Sequence, residues 1–240
     1  LEVIPRDVFL RDIWDYRAGE HVTFLGPTGS GKTELKWSLL AVSASPKVPA
    51  VVLVSKPRDK TTGRHMKALK YRKVQVFPAV RNPFTAKPSG FVLWPGHTKD
   101  PEADDLNHAR AFRDALRECY VSKQPYIVDV DELLDMKDLD AAVRWSRLQA
   151  DEIRLWTRGR SMDAGLWSGT QQPYHVPTHA YRQCQHLFMA KDPDKASRDR
   201  FGEIGGRDGR EVSGWNMSLK QFQFLYLRRT DNAVCIVDKD

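Results

Sequence analysis

Apolar residues recur in this chain in two patterns. Short, mainly apolar runs occupy residues 21–25, 50–54, 91–94, 126–130, 164–170 and 186–190. Such runs suit strands buried on both faces of a parallel sheet. Between them, apolar residues at helical spacing predict helices over residues 34–40, 102–121 and 139–156. Ala109, Phe112, Leu116 and Tyr120 form the core face of the second, and Trp145, Leu148 and Leu155 one side of the third, which Gly159 closes. A short basic helix, capped by Thr61 or Thr62, ends near Tyr71, and a short strand follows at 74–77. Residues 78–101 carry Pro78, Pro83, Pro88, Pro95 and Pro101 and read as loop around the 91–94 strand. Pro177 and Thr178 precede a helical segment, and the polar residues 191–210 read as a charged loop. The segments 221–227 and 233–237 pair across Arg229-Thr230-Asp231-Asn232 as a β-hairpin. Residues 1–18 form a lead-in, with residues 9–14 packed on a sheet edge. Alternating strands and helices predict an α/β fold, its mainly parallel central sheet flanked by helices and extended by a C-terminal hairpin over 211–240.

The first strand runs directly into Gly26-Pro27-Thr28-Gly29-Ser30-Gly31-Lys32-Thr33, and a helix follows. Strand, glycine-rich loop and helix at this spacing make a phosphate-binding P-loop. Its glycines let the backbone curl until successive N–H groups face one anion, and the helix adds its positive end. Lys32 supplies a cation for the outer phosphates. The Thr33 hydroxyl suits the Mg²⁺ that accompanies a nucleoside triphosphate.

The 126–130 strand ends in Asp131 and Glu132. At the same sheet edge as the loop, Asp131 can hold Mg²⁺ through its water shell, and Glu132 can aim a water at the γ-phosphate. Asp129 shares a strand face with Asp131 and is the second choice for the metal side; inside a buried strand its charge needs a partner. Gln171 follows the 164–170 strand and suits hydrogen bonding to the γ-phosphate or attacking water, with Gln172 the adjacent candidate. Arg158 and Arg160 precede that strand; either can serve a neighbouring subunit's nucleotide as an arginine finger or cap a helix end.

With 240 residues the chain suits one large α/β domain. No apolar run approaches the ~20 residues of a membrane span. Residue 1 is Leu, and the start lacks a secretory profile, so the sequence is expected to begin inside a longer product or after processing. Net charge is +7, and Lys56, Arg58, Lys60, Arg64, Lys67, Lys70, Arg72 and Lys73 are opposed locally only by Asp59. That stretch reads as a solvated helix face or a surface for nucleic-acid phosphates. Cys119, Cys184 and Cys235 form no CxxC pair and predict free thiols in a reducing compartment. His175 and His179 are four apart, but Pro177 between them argues against one metal-binding helical face.

Taken in order, the glycine-rich loop, the acidic pair, Gly159-Arg160 and Gln171 resemble the FtsK-HerA superfamily of P-loop DNA-pumping ATPases. The resemblance spans roughly residues 19–190. It implies a RecA/ASCE-type P-loop NTPase fold and favours Gln171 as the sensor and Arg160 as the finger. It further implies ATP and Mg²⁺ as cofactors, and a ring of five or six subunits threaded by double-stranded DNA. Asp129 stands where the family usually has an apolar residue. A compact core of this kind implies a viral genome-packaging ATPase. It would act in the host cytoplasm or with the virion, with a capsid portal or vertex protein as partner and no membrane. Residues 56–73 and 191–210 are candidate DNA-facing surfaces. The alternatives are a phage morphogenesis or export ATPase of the zonular occludens toxin type, and a small-molecule phosphotransferase with residues 191–210 as its lid.

Overall fold

The computed structural model describes residues 1–79, 86–143, 145–175, 181–205 and 207–239. Pro83, Pro177, Thr178 and His179, and the start of the helix expected beyond them, lie outside the described residues. Among the described residues ten strands form one sheet: β1 (Val3–Pro5), β2 (Val22–Leu25), β3 (Ala50–Leu53), β4 (Arg72–Val74), β5 (Gly90–Leu93), β6 (Tyr126–Val130), β7 (Ala164–Thr170), β8 (His186–Ala190), β9 (Phe224–Arg228) and β10 (Ala233–Asp238). Their order is β1-β10-β9-β8-β2-β7-β6-β3-β5-β4. Neighbours run parallel except at β9, which is antiparallel to both β8 and β10. The expected hairpin is present and continues the main sheet, with Ala233 opposite Arg228 and Val237 opposite Phe224, but it is shorter than the expected 211–240: residues 211–218 are helical.

Eight α-helices accompany the sheet among the described residues: α1 (Arg6–Val8), α2 (Lys32–Ser43), α3 (Lys60–Ala68), α4 (Pro101–Val121), α5 (Leu133–Ala142), α6 (Leu148–Arg158), α7 (Lys195–Gly205) and α8 (Gly209–Ser218). Successive strand residues face opposite sides, so each unbroken apolar run serves two cores. In β3, Val51 and Leu53 join a core with Phe112, Leu116, Leu155 and Phe201, while Ala50 and Val52 join one with Leu35, Trp37 and Phe9. Helices α1–α3 lie on the second side and α4–α8 on the first.

Four other expectations change. The helix expected over 139–156 is two helices, α5 starting six residues earlier and α6 at Leu148. Arg147 adopts a left-handed φ of 55°, and Ser146 Oγ accepts the Leu148 N–H at 3.2 Å. Trp145 lies in the break between them and is 54% exposed, whereas Leu148 and Leu155 are buried. The basic helix α3 is capped by Asp59, whose Oδ1 accepts the Thr62 N–H at 2.9 Å, rather than by either threonine. Residues 195–205, expected as loop, are helical, with Phe201 and Ile204 buried. The lead-in supplies edge strand β1, but Phe9 packs over a sheet face, edge-on to Phe188 and Tyr226. Among the described residues no helix is long and apolar enough to cross a membrane.

Candidate active site

Strands β2, β6, β7 and β8 all end at one sheet edge, and the candidate residues gather there. The glycine-rich loop leaves β2 with Gly26 N–H donating to Thr170 O on β7 at 3.2 Å. Gly26, Gly29 and Gly31 all take positive φ. At Gly31, φ is 93°, a left-handed conformation that disfavours a side chain, and an added Cβ would stand a tight 3.2 Å from the Phe222 ring. Lys32 and Thr33 then open α2. The Lys32 ammonium donates to the carbonyls of Gly26 and Pro27, at 2.5 and 2.9 Å, and thus lies across the loop's own mouth. Burial pulls it down to about 8, against the attraction of Glu132 and Asp131.

Gln171 ties the loop to the acidic pair. The Thr28 hydroxyl donates to its Oε1, and its own backbone N–H donates to Glu132 Oε2 at 3.1 Å. Gln172 donates its N–H to Thr170 Oγ1, and no hydrogen bond among the described residues joins it to the loop. Glu132 also caps α5, accepting the Leu134 N–H at 3.4 Å. Burial raises its carboxyl above the ordinary range, although these N–H groups and Thr170 oppose the shift. Packing sets its position from below: an added Cβ on Gly169 of β7 would stand 2.2 Å from Asp131 O.

The sequence reading missed the partner of the two aspartates. Lys36, one helical turn after Lys32 and 3% exposed, places Nζ 2.9 Å from Asp131 Oδ1 and 3.1 Å from Asp129 Oδ2. The Asp129 contact is one of charge, since neither of its oxygens has a hydrogen-bond partner among the described residues. Burial opposes the charge on Lys36, but Asp129 and Asp131 outweigh it and hold the ammonium above its ordinary value. Lys36 holds Asp131 far below the usual carboxylate range despite burial. Asp129 has no exposed surface, and burial pushes its carboxyl up to about 6 against Lys36. The second oxygen of Asp131 accepts from Lys56 at 2.9 Å. The signal for Lys36 was available: a strand aspartate needs a cation, and a lysine four residues after Lys32 points to the same side of α2.

Thr33 and Asp131 offer hydroxyl and carboxylate oxygen, the donor chemistry Mg²⁺ takes. Among the described residues no group of three or more His, Cys, Asp or Glu could hold a metal by itself. An ion here would therefore rely on phosphate oxygens and water as well.

Arg158 and Arg160 lie at the other end of β7. Seven strand residues at about 3.3 Å each put roughly 20 Å between them and Gln171. Both are exposed, and neither makes a side-chain hydrogen bond or ion pair among the described residues. Several cations of the basic stretch are engaged: Arg64 and His65 with Glu34, and Lys73 over the Trp94 ring at 4.3 Å. Arg58, Lys60, Lys67 and Lys70 remain exposed.

No family model matches the chain, and no curated protein does. Solved structures do. The DNA-packaging ATPase B204 of Sulfolobus turreted icosahedral virus superposes with a TM-score of 0.62 at 15% identity, over 94% of this chain and 100% of that one. The genome-packaging NTPase B204 of Sulfolobus turreted icosahedral virus 2, in complex with ATP-γ-S, gives 0.60 at 15% identity over 94% and 100%. The cytoplasmic domain of the Thermomonospora curvata type VII secretion ATPase EccC gives 0.61 at 15% identity, over 93% of this chain and 25% of that one. The likeness is one of fold, that of the P-loop ATPases.

Proposed function

We propose that this chain is an ATP-hydrolysing motor that moves double-stranded DNA as a ring oligomer and packages a viral genome. The observation that carries the reading is the hydrogen-bonded line from Thr28 through Gln171 to Glu132, with Lys32 beside it. It joins the phosphate loop, a neutral sensor and a carboxylate base at one edge of the sheet. Loop N–H groups and Lys32 bind the triphosphate, Gln171 senses its outer phosphate, and Glu132 takes the proton of the attacking water. A carboxyl raised by burial is a stronger base than an exposed one. Thr33 and Asp131 would hold Mg²⁺, which supplies charge neutralisation on the phosphate oxygens. Arg160, exposed and far from its own loop, would serve a neighbouring subunit, and Arg158 is the second choice. Exposed Arg58, Lys60, Lys67 and Lys70 offer a salt-sensitive, sequence-tolerant surface for DNA phosphates. A capsid portal or vertex protein is the expected docking partner, and the host cytoplasm or the virion the place of action.

ATPase assays with and without duplex DNA test this. Turnover should rise with DNA, Lys32→Ala should lose nucleotide binding, and Glu132→Gln should bind ATP without hydrolysing it. No stimulation by DNA in any oligomeric state argues for the alternative, an export ATPase, which the EccC likeness also supports. The phosphotransferase reading has less support, since Phe201 and Ile204 anchor α7 to the core where a lid would have to move.

A further inference from the structure

The phosphate loop has two flanks. Asp131, Glu132 and Gln171 occupy one, at the ends of β6 and β7. On the other, past β8, lies an open cleft of about 390 Å³, bounded by Thr28 and Ser30 of the loop, Lys191 and Pro193 after β8, and Gln221 and Phe222 before β9. Its volume falls in the ~300–1,000 Å³ range of small-molecule sites.

Phe222 is the unusual member. Its φ is 67°, a left-handed conformation that glycine takes freely and a bulky residue rarely does. It packs on the loop yet keeps part of its surface exposed. The Lys239 ammonium lies 4.9 Å from the ring centroid, and the ring edge abuts Gly31 of the loop. Nearby, the Ser30 hydroxyl is shielded from solvent without a hydrogen-bond partner among the described residues.

Hydrolysis requires the outer phosphate on the carboxylate flank. A nucleotide laid along the loop then carries its nucleoside toward the opposite flank, where the cleft opens. We propose that this cleft is the nucleobase subsite, with the Phe222 ring as its stacking platform. The inference rests on the loop binding a nucleoside triphosphate. Stacking offers itself to any base, so the subsite selects nucleotides over bare polyphosphate more than one base over another.

Calorimetric titration of the full chain with ATP and with inorganic tripolyphosphate, each with Mg²⁺, tests it. Phe222→Gly keeps the left-handed backbone without strain, and thermal melting checks that it folds. Loss of the ring should weaken ATP about 10-fold or more and change tripolyphosphate by less than about twofold. Phe222→Trp, which retains an aromatic face, should keep ATP affinity near wild type. Unchanged ATP binding by Phe222→Gly, or equal weakening of both ligands, overturns the subsite. A wild-type chain that binds neither ligand overturns the triphosphate reading itself, and the subsite with it.

Discussion

Lys36 shows what a single buried charge demands. It stands between Asp129 and Asp131, and removing it strands an aspartate that has no exposed surface. Breaking such a pair costs about 3–5 kcal/mol, whereas replacing both members by apolar groups is often neutral. Lys36→Met should therefore lower the urea midpoint sharply at neutral pH. The loss should shrink in acid, where Asp129 takes up a proton, and the Lys36→Met/Asp129→Leu double variant should recover most of it. Glu152 of α6 makes the converse point. It is 7% exposed, its Oε1 accepts from Trp156 Nε1 at 3.3 Å, and burial raises its carboxyl to about 7. The folded state thus prefers the protonated form, and stability falls as pH rises from the unfolded value through about 7. Glu152→Gln stays neutral and should stabilise the chain by up to about 3 kcal/mol at about pH 8 and far less at about pH 5. Thermal melts at the two pH values measure the difference. The need for a cation near Asp129 was legible in the sequence; which lysine answers it depended on the side α2 presents to β6.

Strand and helix ends decide the site more than their interiors do. The contact between Gly169 of β7 and Asp131 O lets the end of β6 sit against its neighbour. Gly169→Ala should push Asp131 and Glu132 out of place. A displacement of about 1 Å is expected to lower turnover about 100-fold while nucleotide affinity, set by the loop, changes little; kcat beside an equilibrium titration separates the two. The buried strands were readable because both faces are apolar. The break between α5 and α6 was not, because no Gly or Pro marks it: Ser146 reaches back to Asp140 at 2.8 Å and Arg147 turns left-handed. Helix α7 was hidden by charges of both signs, its start fixed by Asp194 Oδ2 accepting the Ser197 N–H at 2.8 Å.

At the scale of the whole molecule, the sheet separates its reactive groups onto opposite edges. The phosphate loop and acids stand at one, Arg158 and Arg160 at the other. On the proposed reading, Arg160 completes only a neighbour's site. Arg160→Ala should abolish turnover in the oligomer yet leave nucleotide affinity within about twofold. Mixing inactive Arg160→Ala with inactive Lys32→Ala should restore part of the activity, since intact loops then meet intact arginines. Steady-state ATPase at varied mixing ratios reads this, and no recovery at any ratio rules out the finger in trans.

The sequence alone determined the parts whose physics is local: a loop that must curl around an anion, strands apolar on both faces, acids at a strand end, a hairpin turn. Only the tertiary structure decided which distant groups meet. Lys36 finds Asp131 across 95 residues and Thr28 finds Gln171 across 143, while Phe222 comes to rest on the loop at Gly31. Periodicity fixes the face of an element on which a side chain stands. It carries no information about which neighbour that face will press against, because sheet order and helix packing are set by burial summed over the whole chain.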